Sequence, residues 1–214
     1  DAVSLDKEIY VSSVEFNRVF EISTYSTIML PFDIKANKIS GIEKVFQFTG
    51  VLEKGNGEKE VQMDEVWAST SNNDFELIAN TPYIIKMNDN KLKINGGVTL
   101  KPVTSESAIV RDESGWEFRG TFAYKEWLED SDELGLVYGY TGEKLNGYEI
   151  GQFARVGAGA SIHPFRAYMF YKDPTNTSFI KSAYSITNEL PDHIDIVIAN
   201  KSEDNKSEKT PTIG

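Results

Sequence analysis

The feature that most constrains this chain is its punctuation. Glycine- and asparagine-rich turn signals recur roughly every 8–15 residues, and apolar and polar residues alternate between them. A period of two sends successive side chains to opposite faces of a strand, whereas a helix repeats near 3.6 residues. "VFQFTGVLE" (45–53) sets Val45 and Gln47 against Phe46 and Phe48, "KGNGEK" (54–59) turns the chain, and "EVQMDEVW" (60–67) returns it as a hairpin. "PYIIKMNDNKLKINGGVTL" (82–100) uses the device twice, at Asn88-Asp89-Asn90 and at Asn95-Gly96-Gly97. "GWEFRGTFAYKEW" (115–127) places Trp116, Phe118, Gly120, Phe122 and Tyr124 on one face. "YSTIMLPFDI" (25–34) is an apolar run broken by Pro31, the mark of an edge or a bulge. "LGLVYGY" (134–140), "YEIGQFARV" (148–156), "ASIHPFRAYMFYK" (160–172) and "HIDIVIA" (193–199) continue the series.

No window of a dozen residues carries the helical period; "DEVWAS" and "YKEWLED" are the best short helix candidates. The expectation is therefore an all-β fold, an antiparallel two-sheet β-sandwich of jelly-roll type with short helical turns at most. No linker interrupts residues 1–199, which read as one domain, and the charged stretch 200–214 reads as a polar flexible tail.

Composition narrows the functions. Hydrophobic residues make up 40 % of the chain and aromatics 12 %, enough for a sizeable core. The net charge of −11 and the absence of a basic stripe argue against nucleic acid and anionic membranes as partners. No apolar run approaches the roughly 18–20 residues of a membrane-spanning helix. With no cysteine, thiol catalysis, disulfides and thiolate zinc sites are excluded. Residue 1 is Asp with no leader before it, so the chain reads as a trimmed or mature form.

Few motifs carry chemistry. The glycines at 157–159 ("GAG") lie between strands with Pro164 close behind, so they read as a β-connection and not as a phosphate loop, which opens a helix. Ser161 and His163 share a strand face, yet no nucleophile elbow exists in the chain and a third partner is not evident. Arg166, within "PFRAY", is set among aromatics and reads as a structural cation for Glu117 or Asp33, or as a ligand-binding arginine. The acidic loop "KEWLEDSDELG" (125–135) offers Asp130, Asp132 and Glu133 as hard oxygen ligands for Ca²⁺, without EF-hand spacing. Sugar rings stack on exposed aromatics. Trp127, at the border of the acidic loop, is the best candidate, with Tyr124 and Tyr138 beside it.

Several segments occur in a specific order: "STIMLPFDI" (26–34), "ANTPYIIK" (79–86), "GWEFRGTFAYKEW" (115–127), "VYGY" (137–140), "GQFARVGAGASIHPFRAYM" (151–169) and "LPDHIDIVI" (190–198). Together they resemble an uncharacterised β-domain found near the C-terminus of large secreted and surface proteins of gut and fibre-degrading bacteria, often after leucine-rich repeats. The closing "TPTIG" (210–214) resembles the lead-in to a small C-terminal sorting module. The resemblance implies a secreted or cell-surface location and supplies no catalytic motif. The expected function is that of a non-catalytic, monomeric spacer or adhesion module without a resident cofactor. The alternative is a carbohydrate-binding module for plant or microbial polysaccharide or a surface glycan.

Overall fold

The computed structural model describes residues 5–71, 74–103, 108–144, 147–172 and 190–199. The expected tail at 200–214 lies outside the described residues. In chain order the strands are β1 (Ile9–Val11), β2 (Tyr25–Met29), β3 (Ile34–Lys35), β4 (Ile39–Ser40), β5 (Ile42–Glu53), β6 (Lys59–Ala68), β7 (Glu76–Leu77), β8 (Pro82–Met87) and β9 (Lys93–Ile94). They continue as β10 (Val98–Leu100), β11 (Ile109–Arg111), β12 (Trp116–Thr121), β13 (Lys125–Trp127), β14 (Val137–Tyr140), β15 (Gln152–Arg155), β16 (Ala160–Ile162), β17 (Arg166–Tyr171) and β18 (His193–Ala199). The one helical element among the described residues is a 3-10 turn at Ala36–Lys38. Both short helix candidates belong instead to strands and turns, around β6 and β13.

Ten strands form one sheet in the order β11-β12-β17-β14-β15-β18-β6-β5-β8-β2. Two separate sheets were the expectation; the ladder instead runs unbroken, and the sheet curls until its ends meet. Neighbours are antiparallel except β18 and β6, which run parallel from Asp195 opposite Glu60 to Ala199 opposite Asp64. Two register shifts between β5 and β6, with Val66 the extra residue on β6 and Thr49 the extra residue on β5, help the pair bend. Each puts two residues opposite one, which kinks the strand and sharpens its twist.

Closure occurs where β2 crosses the start of β17. The Ala167 N–H donates to Thr27 Oγ1 (3.0 Å) and the Met29 N–H donates to the Phe165 carbonyl (3.3 Å). A Cβ at Gly120 would overlap the Met29 sulfur, so glycine on β12 is what admits β2 this closely. Alternation along the strands then builds cores on both faces. Inside the curl, Phe46, Met63, Ile84, Trp116, Phe118, Tyr138, Phe153 and Met169 pack together. Outside one half, Ile28, Val45, Ile85 and Met87 pack under Phe20, Phe32 and Leu92. Outside the other half, Val137, Tyr168 and Phe170 pack under Trp127 of the small β13–β16 ribbon. Burying side chains of this size contributes about 1.5–3 kcal/mol each, the main force closing the sheet.

Candidate functional site

The closure leaves a hollow beside it. The N-terminal segment runs past the sheet edge, held by β1 pairing with β10, and brings Val11, Val14, Phe16 and Arg18 to one wall. The turn after β2 supplies Leu30, Pro31 and Phe32, and the chain beyond β10 supplies Lys101 and Val103. The Lys101 N–H donates to the Pro31 carbonyl at 2.6 Å and ties these two walls together. Phe122, Pro164 and Phe165 complete a cavity of about 650 Å³, within the size range of small-molecule sites.

Phe165 is the most constrained part of this lining. Its φ of 63° lies in the left-handed region, which a bulky side chain adopts at a cost of order 1–3 kcal/mol. Two backbone hydrogen bonds hold it there: its N–H donates to the Thr121 carbonyl (2.7 Å) and its own carbonyl accepts from Met29. The twist places its ring edge-on between Phe16 (5.5 Å) and Phe122 (5.4 Å).

Two guanidinium groups stand at this junction. Arg18 donates from Nη1 to the Thr27 carbonyl (2.8 Å), and its Cζ lies 4.4 Å from the centre of the Phe20 ring. Burial, and then the like charge of Arg166, lower the Arg18 guanidinium to about 9, which leaves it cationic at neutral pH. Burial also lowers Arg166, whose Nε is enclosed without a hydrogen-bond partner. Among the described residues, no carboxylate pairs with either arginine. The acids expected for Arg166 are engaged elsewhere. Glu117 receives Arg111 (2.9 Å) and Arg119 (2.6 Å), and Asp33 receives Lys101. Burial works to raise Asp33, but hydrogen bonds from Lys101 and from the Ala79 N–H outweigh it and hold the carboxyl below its usual range.

The aromatic candidates separate sharply. Trp127 is only 2 % exposed, lies edge-on to Tyr168 at 5.3 Å, and donates from Nε1 to Glu133 (2.7 Å). Tyr138 is fully buried inside the curl, where its hydroxyl donates to the Pro191 carbonyl (2.7 Å) and burial pushes it up to about 12. Neither offers a face to a sugar, which corrects the expectation of exposure for both. The β13–β16 ribbon folds Trp127 inward, and the inward register of β14 takes Tyr138. Tyr124 alone of the three is open, at 51 % exposure, with the His163 ring edge-on at 5.6 Å.

The acidic loop does not gather its oxygens. Glu133 faces Lys125 (2.6 Å) and Arg119 (3.6 Å) rather than Asp130 and Asp132. Among the described residues, no group of three His, Asp or Glu side chains is placed to hold a metal. That corrects the candidate Ca²⁺ set. No hydrogen bond joins Ser161 to His163 among the described residues; Ser161 lies opposite Glu126 in the ribbon. Gly159, at φ 82°, donates its N–H to the Trp127 carbonyl (2.8 Å), making the strand connection expected of the 157–159 turn.

Sequence reasoning missed Phe16, Arg18, Phe122 and Phe165 as one site. One signal was present: "FNRVF" (16–20) sets an arginine among aromatics just as "PFRAY" does. Among the described residues, no helix is long and apolar enough to cross a membrane. In comparisons with known proteins, the chain matches no family model, no curated protein and no solved structure.

Proposed function

We propose that this chain is a non-catalytic β-module of a secreted or cell-surface bacterial protein, and that it binds a small, largely apolar ligand in the cavity at its sheet closure. The two halves of the curled sheet would serve as the layers of a sandwich-like spacer. The ordered segments quoted from the sequence support the location. The cavity of about 650 Å³ between Phe16, Phe122 and Phe165 carries the binding reading. Its supporting detail is Phe165, kept in an unfavourable backbone conformation that aims an aromatic ring at the hollow. Its cations suit holding and orienting a ligand, because a guanidinium does not transfer protons near neutral pH. Titration calorimetry with 1-decanol tests the reading. Saturable binding is expected, weakened about tenfold or more by Phe122→Ala, which removes one aromatic wall. No binding would overturn it.

A second reading, glycan binding, rests on Tyr124 beside His163, an open ring at the surface. Retention on plant or microbial polysaccharides that Tyr124→Ala abolishes would favour it over the cavity.

A further inference from the structure

We propose that Arg18 and Arg166 form an anion-binding site at the cavity, so that the ligand is an amphipathic carboxylate with an apolar body. This rests on the cavity being a binding site. The geometry comes first. Arg18 lines the hollow, and Arg166 follows directly on Phe165 at the point where β2 crosses β17. A guanidinium carries five N–H donors. Between them the two groups make one hydrogen bond among the described residues, from Arg18 to the Thr27 carbonyl. The Arg166 Nε is enclosed and makes no hydrogen bond among the described residues, so the terminal nitrogens of its half-buried guanidinium are the part left to meet an anion.

The overall charge sharpens the contrast. The chain has 33 acidic and 22 basic residues, so basic groups have acids to spare. Other cations of this region are matched: Lys101 is held by Asp33, and Arg119 by Glu117 and Glu133. Glu15, the acid of the cavity lining, is an exposed side chain that pairs with neither arginine. Two neighbouring cations repel each other unless an anion lies between them, and a carboxylate offers two oxygens with about four acceptor positions. The aromatic and aliphatic walls then take the apolar body, and the head group turns towards Arg18 and Arg166.

The test compares decanoate with 1-decanol, which have the same chain length and differ in charge, by calorimetry on the whole chain. Decanoate is expected to bind about tenfold more tightly than decanol, the size of effect one charge-assisted hydrogen bond provides. Arg18→Gln and Arg166→Gln should each bring that ratio towards one. Equal affinities in the unaltered protein would overturn the anion site and leave the cavity reading standing. Failure of both probes to bind would overturn the cavity reading and the anion site with it. Should a Gln variant also lose decanol, acetate decides. In excess it should weaken decanoate binding to the unaltered protein and not decanol binding; insensitivity to acetate would overturn the inference.

Discussion

Strands β12 and β17 carry two groups of cations along one outward face, and the two ends are finished differently. At one end Glu117 is almost wholly buried and bridges Arg111 and Arg119, while Arg119 also lies 3.6 Å from the Phe170 ring centre and reaches Glu133. Glu133 in turn accepts from Lys125 and Trp127. At the other end Arg166, opposite Thr121 in the same ladder, has an enclosed nitrogen and no acid beside it among the described residues. The lesson concerns use. A closed network of charges holds strands together, whereas an unmatched cation beside a cavity adds no such tie and is the one on which the proposed anion site rests.

The sharpest way to break the comparison is to remove the acid from the closed end. Glu117→Ala removes the buried acid shared by both guanidinium groups and is expected to cost about 3 kcal/mol in denaturant unfolding, the low end for breaking a buried pair, because Arg119 keeps Glu133 and Arg111 is partly exposed. A loss below about 1 kcal/mol, the size of a surface pair, would mean the network is not structural. Next comes the residue between the two ends. Gly120→Ala forces Met29 away from β12 and is expected to cost about 1–3 kcal/mol, the range for overpacking. It should also weaken ligand binding, because Met29 holds the Phe165 carbonyl.

At the open end, Arg166→Met removes a cation that no carboxylate pairs with among the described residues. Stability should stay within about 1 kcal/mol of the parent, or rise, in the same unfolding experiment. The smallest effect is a pH dependence. Burial works to raise Glu133, but the hydrogen bonds from Lys125 and Trp127, with the charges of Lys125 and Arg119, outweigh it and hold the carboxyl below its usual range. A carboxyl lowered by folding stabilises the protein above its unfolded value and loses that contribution as pH falls through the folded one. Thermal melts between about pH 6 and pH 3 should therefore show a shallower acid decline for Glu133→Gln than for the parent, spanning the ordinary Glu range near 4.3 and below. Parallel curves would remove Glu133 from the network.

Much of this was legible locally. Alternation marked the strands and put Trp116, Phe118 and Gly120 on the inner face of β12, because a pleated strand leaves no other choice. The turn at 157–159 was legible from its glycines. The joining of the sheet was not, since β18 pairs with β6 from more than a hundred residues away and no local pattern encodes a distant partner. Trp127 looked exposed because it ends an alternating run beside acids. Only the ribbon with β16, whose residues lie far along the chain, turns it inward. The acidic loop looked like a cation site because its matching charges, Arg119 and Lys125, come from the strands before it. Arg166 was singled out for its aromatic setting; that no carboxylate pairs with it among the described residues is visible only in three dimensions.

The place of β18 bears on how this chain comes to be folded at all. Strands β2, β5, β6 and β8 make one side of the curl, β11, β12, β14, β15 and β17 the other, and β18 is the strand hydrogen-bonded to both. It is also the last strand among the described residues. Until residues 193–199 pair with both, β6 and β15 each present an unpaired edge, and the two half-sheets are not joined in one ladder. A chain whose β18 has not yet formed therefore holds two open edges at once, and the sheet becomes continuous in the one step that fills both.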